Sequence, residues 1–159
     1  MKSIHLFLSA ALVASGPAAA QEAPPELPYT MTGSVTLPST NTGWDYVKFE
    51  PGSARLFMGR LEDGLTVYDV DRGQAVMTLP NSIGANGPIL LPKYDRGYVA
   101  MADGSLLSFD LKTLTVIART KLASDGGLNS GSLDPATGRL HVITGTRPKE
   151  ATWFSIDAP

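Results

Sequence analysis

The chain has 159 residues, 13 Lys and Arg against 15 Asp and Glu, a formal net charge of −2, two histidines and no cysteine. The missing cysteine excludes disulfides, cysteine-ligated zinc, cysteine-bound iron–sulfur clusters, c-type haem attachment and thiol catalysis within this chain. No cluster of Lys or Arg stands out, so a nucleic-acid groove is not supported, and stability has to come from packing.

The chain opens with Lys2 ahead of an apolar run from Ile4 to Val13, broken only by His5 and Ser9. Gly16-Pro17 ends any helix there, and Ala18 and Ala20 fit the small-residue rule of a signal-peptidase site. Residues 1–20 therefore read as a signal peptide cleaved after Ala20, which predicts a periplasmic or secreted protein. The apolar run is shorter than the ~20 residues a membrane span needs, and no later stretch is apolar for longer. No span is expected after cleavage. Residues 21–31, "QEAPPELPYTM", form a Pro-rich leader that favours extended conformations.

From residue 32 onward, short runs rich in Val, Leu, Thr, Tyr and Phe alternate with Gly, Asp, Asn and Pro, and no stretch keeps a helical period for three turns. This is an all-β pattern. "TGSVTLP" (32–38) reads as an outer strand. A first unit (44–80) offers strands at 45–50, 55–59, 65–69 and 74–79. A second (86–123) offers 87–91, 97–102, 105–110 and 115–122. A third (129–159) offers 130–134, 139–144 and 151–157 and lacks an outer strand of its own.

"DGLTVYDVDRGQAVMTLP" and "DGSLLSFDLKTLTVIARTKL" repeat one phrase. Pro51, Pro92 and Pro135 recur at spacings of 41 and 43, and Tyr68, Phe109 and Phe154 at 41 and 45. A period in the low forties with about four strands per unit predicts an incomplete β-propeller of about three four-stranded antiparallel blades. The competing arrangement is a two-layer sandwich, against which the register of the repeat argues. "EPGSAR", "PKYDRG" and "DPATGR" place Pro and Gly in tight turns, while Asp63-Gly64 and Asp103-Gly104 are hairpin signals.

The stretches "GWDYVKFEPGSARLFMG", "LTVYDVDRGQAVMTL" and "LDPATGRLHVITG" resemble the YVTN-type (YncE-like) β-propeller repeat proteins over about residues 32–159. Tyr98-Val99 matches the first half of the family's Tyr-Val-Thr-Asn tetrad, and Ala100-Met101 replaces the second half. The resemblance implies an exported propeller, and members are usually closed rings with more blades than this chain encodes. The missing blades are expected either from the rest of a longer chain or from self-association, with 32–38 of one copy completing the third blade of another.

Chemistry is sparsely marked. His141 lies within a strand between Leu140 and Val142, so no histidine pair for a metal and no Ser-His-Asp set can be assembled after signal cleavage. "DVDRG" (69–73) begins like a calcium loop but lacks the further oxygens and closing Glu. No catalytic residue, metal site or cofactor is expected within this stretch.

In propellers ligands meet the mouth of the central channel, where loops enter the inner strands and join second to third strands. Those loops supply Trp44, Asp45, Arg60, Asn86, Asn129 and Arg147 as candidate ligand-binding residues. Asn41, Asn86 and Asn129 recur just before inner strands. The partner is expected to be a small polar ligand or another protein. The resulting expectation is a non-catalytic periplasmic binding or scaffold module. The alternative is part of a propeller enzyme, either a metal-dependent lactonase-type hydrolase or a dehydrogenase-associated subunit.

Overall fold

The computed structural model describes residues 29–41, 43–145 and 150–158. The expected signal peptide, most of the leader and Arg147 lie outside these residues. Two units are distinguished, one ending at Ser34 and one running from Val35 to the C-terminus. In the first, residues 29–34 carry no regular secondary structure and are exposed.

Among its described residues the second unit is all-β, with eleven strands in three antiparallel sheets. Sheet 1 contains β1 (Trp44–Phe49), β2 (Arg55–Arg60), β3 (Gly64–Asp69) and β4 (Gln74–Thr78) in chain order. Sheet 2 repeats this with β5 (Ala85–Leu91), β6 (Arg96–Met101), β7 (Ser105–Asp110) and β8 (Val116–Lys121). Sheet 3 has β9 (Leu128–Leu133), β10 (Arg139–Thr144) and β11 (Trp153–Asp157), with no fourth strand among the described residues. The three sequence units thus become three sheets, with boundaries within two residues of those expected.

Each turn has a local cause. Asp69 Oδ1 accepts the backbone N–H groups of Asp71 (3.0 Å) and Arg72 (2.9 Å), while Asp110 Oδ1 accepts those of Lys112 (2.9 Å) and Thr113 (2.7 Å). These Asx turns fold the chain back from third to fourth strand. In the first, Gly73 takes the left-handed position at φ +66°; in the second, Leu114 takes it at φ +58°. The 3₁₀ turn Pro92–Tyr94 closes on Asp95, also left-handed, between β5 and β6.

The strand pairings fix which residues are equivalent. Arg55 faces Asp69, Arg96 faces Asp110 and Arg139 faces Asp157 across the second and third strands. By this register the counterpart of Tyr68 and Phe109 in sheet 3 is Ile156. Phe154, expected in that role from spacing, is not equivalent. The connection from β10 to β11 is longer than those in the other sheets, and it shifts the count. Its base is closed by Thr144 N–H to Thr152 O (2.9 Å) and Thr152 N–H to Thr144 Oγ1 (2.7 Å).

The sheets pack face to face in sequence order. One core lies between sheets 1 and 2, with Phe57, Leu65, Val67 and Leu79 set against Val99, Met101, Leu107 and Phe109. Phe57 and Phe109 stack with ring centroids 5.9 Å apart. A second core lies between sheets 2 and 3, where Tyr98, Ala100 and Leu106 meet Leu128, Leu140 and Val142. Burying one such large side chain contributes about 1.5–3 kcal/mol relative to leaving it in water. Packing is closest between first strands, β1 with β5 and β5 with β9, and the fourth strands make no comparable contact. The backbones nearly touch there. A Cβ on Gly59 would sit 1.8 Å from the Asn86 carbonyl oxygen, and one on Gly87 would sit 2.4 Å from that of Asn129.

The expected outer strand at 32–38 forms no strand. Sheet 1 has its fourth strand in β4, and the segment pairs with none of its strands. The segment's end is nevertheless held in place. Arg60 donates to the Pro38 carbonyl, and Val35 and Leu37 line a groove on sheet 1 with Trp44, Met58 and Tyr68.

Candidate functional site

The first strand of every sheet carries an extra residue at the same place. Pairing steps from Trp44–Arg60 to Val47–Met58, from Ala85–Met101 to Pro88–Val99, and from Leu128–Thr144 to Ser130–Ile143. A bulge of this kind re-aims the side chains around it. The residue after the anchoring pair is Asp45 in sheet 1, Asn86 in sheet 2 and Asn129 in sheet 3. These three equivalent positions line one open cleft of about 920 Å³, together with Leu61 and Gly145 from the ends of the second strands. Three of the six candidate residues therefore converge.

The amides also stitch the sheets together. Asn86 Nδ2 donates to the Leu128 carbonyl at 2.7 Å, tying β5 to β9. Asn129 Nδ2 donates to the Tyr46 hydroxyl at 3.3 Å, so the Tyr46 side chain reaches from sheet 1 to sheet 3. Partial burial pushes the Asp45 carboxyl above its usual range, opposed by a hydrogen bond from the Tyr46 backbone. The cleft thus combines a carboxylate and two side-chain amides at one end of the stack, one of the amides bonded to the Tyr46 phenol. This set suits hydrogen bonding to a polar molecule. Among the described residues, no group of three or more His, Cys, Asp or Glu is placed to hold a metal ion.

Arg60 stands elsewhere. It is buried, donates to Thr66 Oγ1 (3.2 Å) and Asp63 Oδ2 (2.9 Å), and its guanidinium lies 4.9 Å from the centre of the Trp44 ring. Asp63 in turn accepts from the Thr40 backbone (3.1 Å) and from Ser39 Oγ (2.7 Å), while Trp44 Nε1 donates to the same Ser39 Oγ (3.0 Å). Arg60 and Trp44, read from sequence as ligand contacts, are parts of a clamp on residues 38–40. A strand-end Arg near a loop reads as a solvated rim, and only the fold shows the segment laid across it. Arg147 falls outside the described residues.

His141 points away from the cleft. Its Nδ1 accepts from Trp153 Nε1 at 3.0 Å, and the two rings meet edge to face at 5.1 Å on the free face of sheet 3. Tyr46 was missed from sequence because a tyrosine in an apolar strand reads as packing. The equivalence of Asp45 with the two asparagines was missed because Asn41 competes for the alignment. Asn41 Oδ1 instead accepts the Gly43 N–H at 2.7 Å in the approach to β1.

No family model matches this sequence, and no curated protein matches it. Solved structures do resemble its fold. The computationally designed Ika4 protein superposes with a TM-score of 0.52 at 12% identity, covering 69% of this chain and 64% of that one. Hydrazine synthase of Kuenenia stuttgartiensis superposes with a TM-score of 0.56 at 16% identity, covering 69% and 32% respectively. The chain thus spans less than two thirds of either protein. At these identities the likeness concerns the fold alone.

Among the described residues no helix is long and apolar enough to cross a membrane. Among the described residues the chain is all-β, with three repeated antiparallel sheets.

Proposed function

We propose that this chain is a YVTN-type β-propeller protein, exported to the periplasm or beyond, that works as a non-catalytic binding module. The cleft at the channel end of the sheets is its ligand site. The observation that carries this reading is the convergence of Asp45, Asn86 and Asn129, equivalent bulged positions of three successive sheets, on one cleft. The close packing of first strands, with fourth strands apart, supports the radial arrangement. The phrase repeat and the apolar run before Ala20 support the family and the export.

The ligand class is a small, polar, uncharged or zwitterionic molecule carrying both donors and acceptors, because the cleft offers a carboxylate beside two amides. A thermal-shift screen of monosaccharides, polyols and amino acids on the purified protein tests this. A true ligand at a hundredfold excess over its Kd stabilises the fold by about 2.7 kcal/mol. That gain is expected to vanish in Asp45→Ala and Asn129→Ala while the unliganded melt stays near wild type. Compounds that shift all three proteins equally, or no shift from any compound, would refute the assignment.

A further inference from the structure

On the reading that this cleft is the ligand site, we infer that the ligand enters it amine first. The group it presents to Asp45, Asn86 and Asn129 is a protonated primary amine. The ligand class narrows to its zwitterionic, amine-bearing members.

Each of the three sheets sends one polar side chain to the opening from its first strand, Asp45 from β1, Asn86 from β5 and Asn129 from β9. A side-chain amide donates from its nitrogen and accepts at its oxygen. In both asparagines the fold uses the nitrogen. Asn86 Nδ2 donates to the Leu128 carbonyl at 2.7 Å, and Asn129 Nδ2 donates to the Tyr46 hydroxyl at 3.3 Å. The Asn86 amide cannot be turned over, because its oxygen would then meet a carbonyl that only accepts. Neither amide oxygen has a hydrogen-bond partner among the described residues. Thr144, a further polar residue on the wall, already accepts the Thr152 N–H at 2.7 Å.

Asp45 adds charge. It is the one ionisable side chain among the described residues that line the cleft. Asp63, Asp69 and Asp103 each pair with an arginine, whereas no Lys or Arg pairs with Asp45 among the described residues. A concave opening lined by one sign of charge focuses the field and draws the opposite charge. The acceptors on offer are the carboxylate oxygens and one oxygen from each amide, against one remaining N–H on each amide.

The complement of this set is small, positive and rich in N–H. A primary ammonium has three N–H donors and no acceptor, as many donors as there are side chains to receive them. Its single charge matches the single carboxylate. Hydrogen bonds with ionised partners are roughly twice as strong as neutral ones, so the hydroxyl of a sugar or polyol competes poorly for the same oxygens. A calcium ion takes about six to eight oxygen ligands, more than these three side chains supply. The remaining amide N–H groups suit the acceptor end of a zwitterion.

Nuclear magnetic resonance on the purified, isotope-labelled protein tests this, with methylammonium chloride as the probe. Tetramethylammonium chloride at equal ionic strength is the control, since it has the charge and no N–H. Methylammonium is expected to shift the side-chain amide signals of Asn86 and Asn129 saturably, and tetramethylammonium to leave them in place. Asp45→Asn removes the charge and keeps the volume, and the backbone amide spectrum reports that its fold is kept. It should raise the methylammonium dissociation constant at least tenfold. Equal responses to the two cations, or wild-type methylammonium binding by Asp45→Asn, would overturn the inference. So would displacement of methylammonium by equimolar calcium chloride. A sugar or polyol that moves both amide signals where methylammonium does not would overturn the amine and keep the cleft as a ligand site. No saturable movement with any amine, sugar or polyol would overturn both.

Discussion

Asp63 shows how one side chain can have several obligations. Its carboxylate accepts from Thr40 and Ser39 and pairs with Arg60, and together these hold its pKa at about 2, the Thr40 hydroxyl contributing most. Because the folded value lies below the ordinary ~3.9, the group adds stability above pH 4 and loses it as pH falls toward 2. Asp69, Asp110 and Asp134 are lowered too. Backbone N–H groups of Arg72 and Thr113 lead for the first two, and the Thr137 hydroxyl leads for the third. Wild-type thermal stability is therefore expected to fall steeply between pH 4 and pH 2. In Asp63→Asn the fall should be shallower and the pH 7 melt lower, as read by circular dichroism against pH. At this scale the sequence was only partly legible. A cluster of Arg and Asp in a loop has the composition of a solvated rim, and which partner it holds depends on a contact more than twenty residues away.

At the scale of the element, turn chemistry explains most of what could be foreseen. Pro, Gly and Asp mark where each strand ends, and strands at 55–60, 64–69 and 105–110 fall where those marks put them. Register is less visible, because it depends on connection length. The longer β10–β11 connection placed Phe154 where Ile156 belongs. The β7–β8 turn contains its own conflict. Leu114 occupies a left-handed position filled by Gly73 in sheet 1, and its side chain is buried in the first core. The left-handed conformation costs a non-glycine residue about 1–2 kcal/mol, whereas emptying a buried leucine site costs about 2–5 kcal/mol. Packing wins. Leu114→Gly is expected to destabilise the protein by about 1–3 kcal/mol in urea unfolding, despite relieving the backbone. A stabilised variant would mean that the leucine contributes little to the core.

For the whole molecule, the order of the sheets sets a gradient of protection. Sheet 2 is covered on both faces, and β6 and β7 are almost wholly buried, whereas β1 is exposed along its length and β11 alternates. Local opening follows burial. Hydrogen exchange read by mass spectrometry should find β6 and β7 slowest, with β1 and β11 exchanging earlier. The three-unit plan was legible because each unit repeats the same apolar and turn pattern. The meeting of Asp45 with Asn86 and Asn129 was legible only in part, since the bulges that align them leave no mark in composition.

Those bulges separate two tasks within one strand. The residue at each bulge faces the cleft, while its neighbours in β5 and β9 carry packing between sheets. The chemistry of the opening can therefore be rewritten at position 45, by exchanging acid for amide or alcohol, without rebuilding the hydrophobic seams behind it. Positions 86 and 129 are the exceptions, because their amides also hold a neighbouring sheet. Diversification of this protein, natural or in the laboratory, has one free letter and two fixed ones at its mouth.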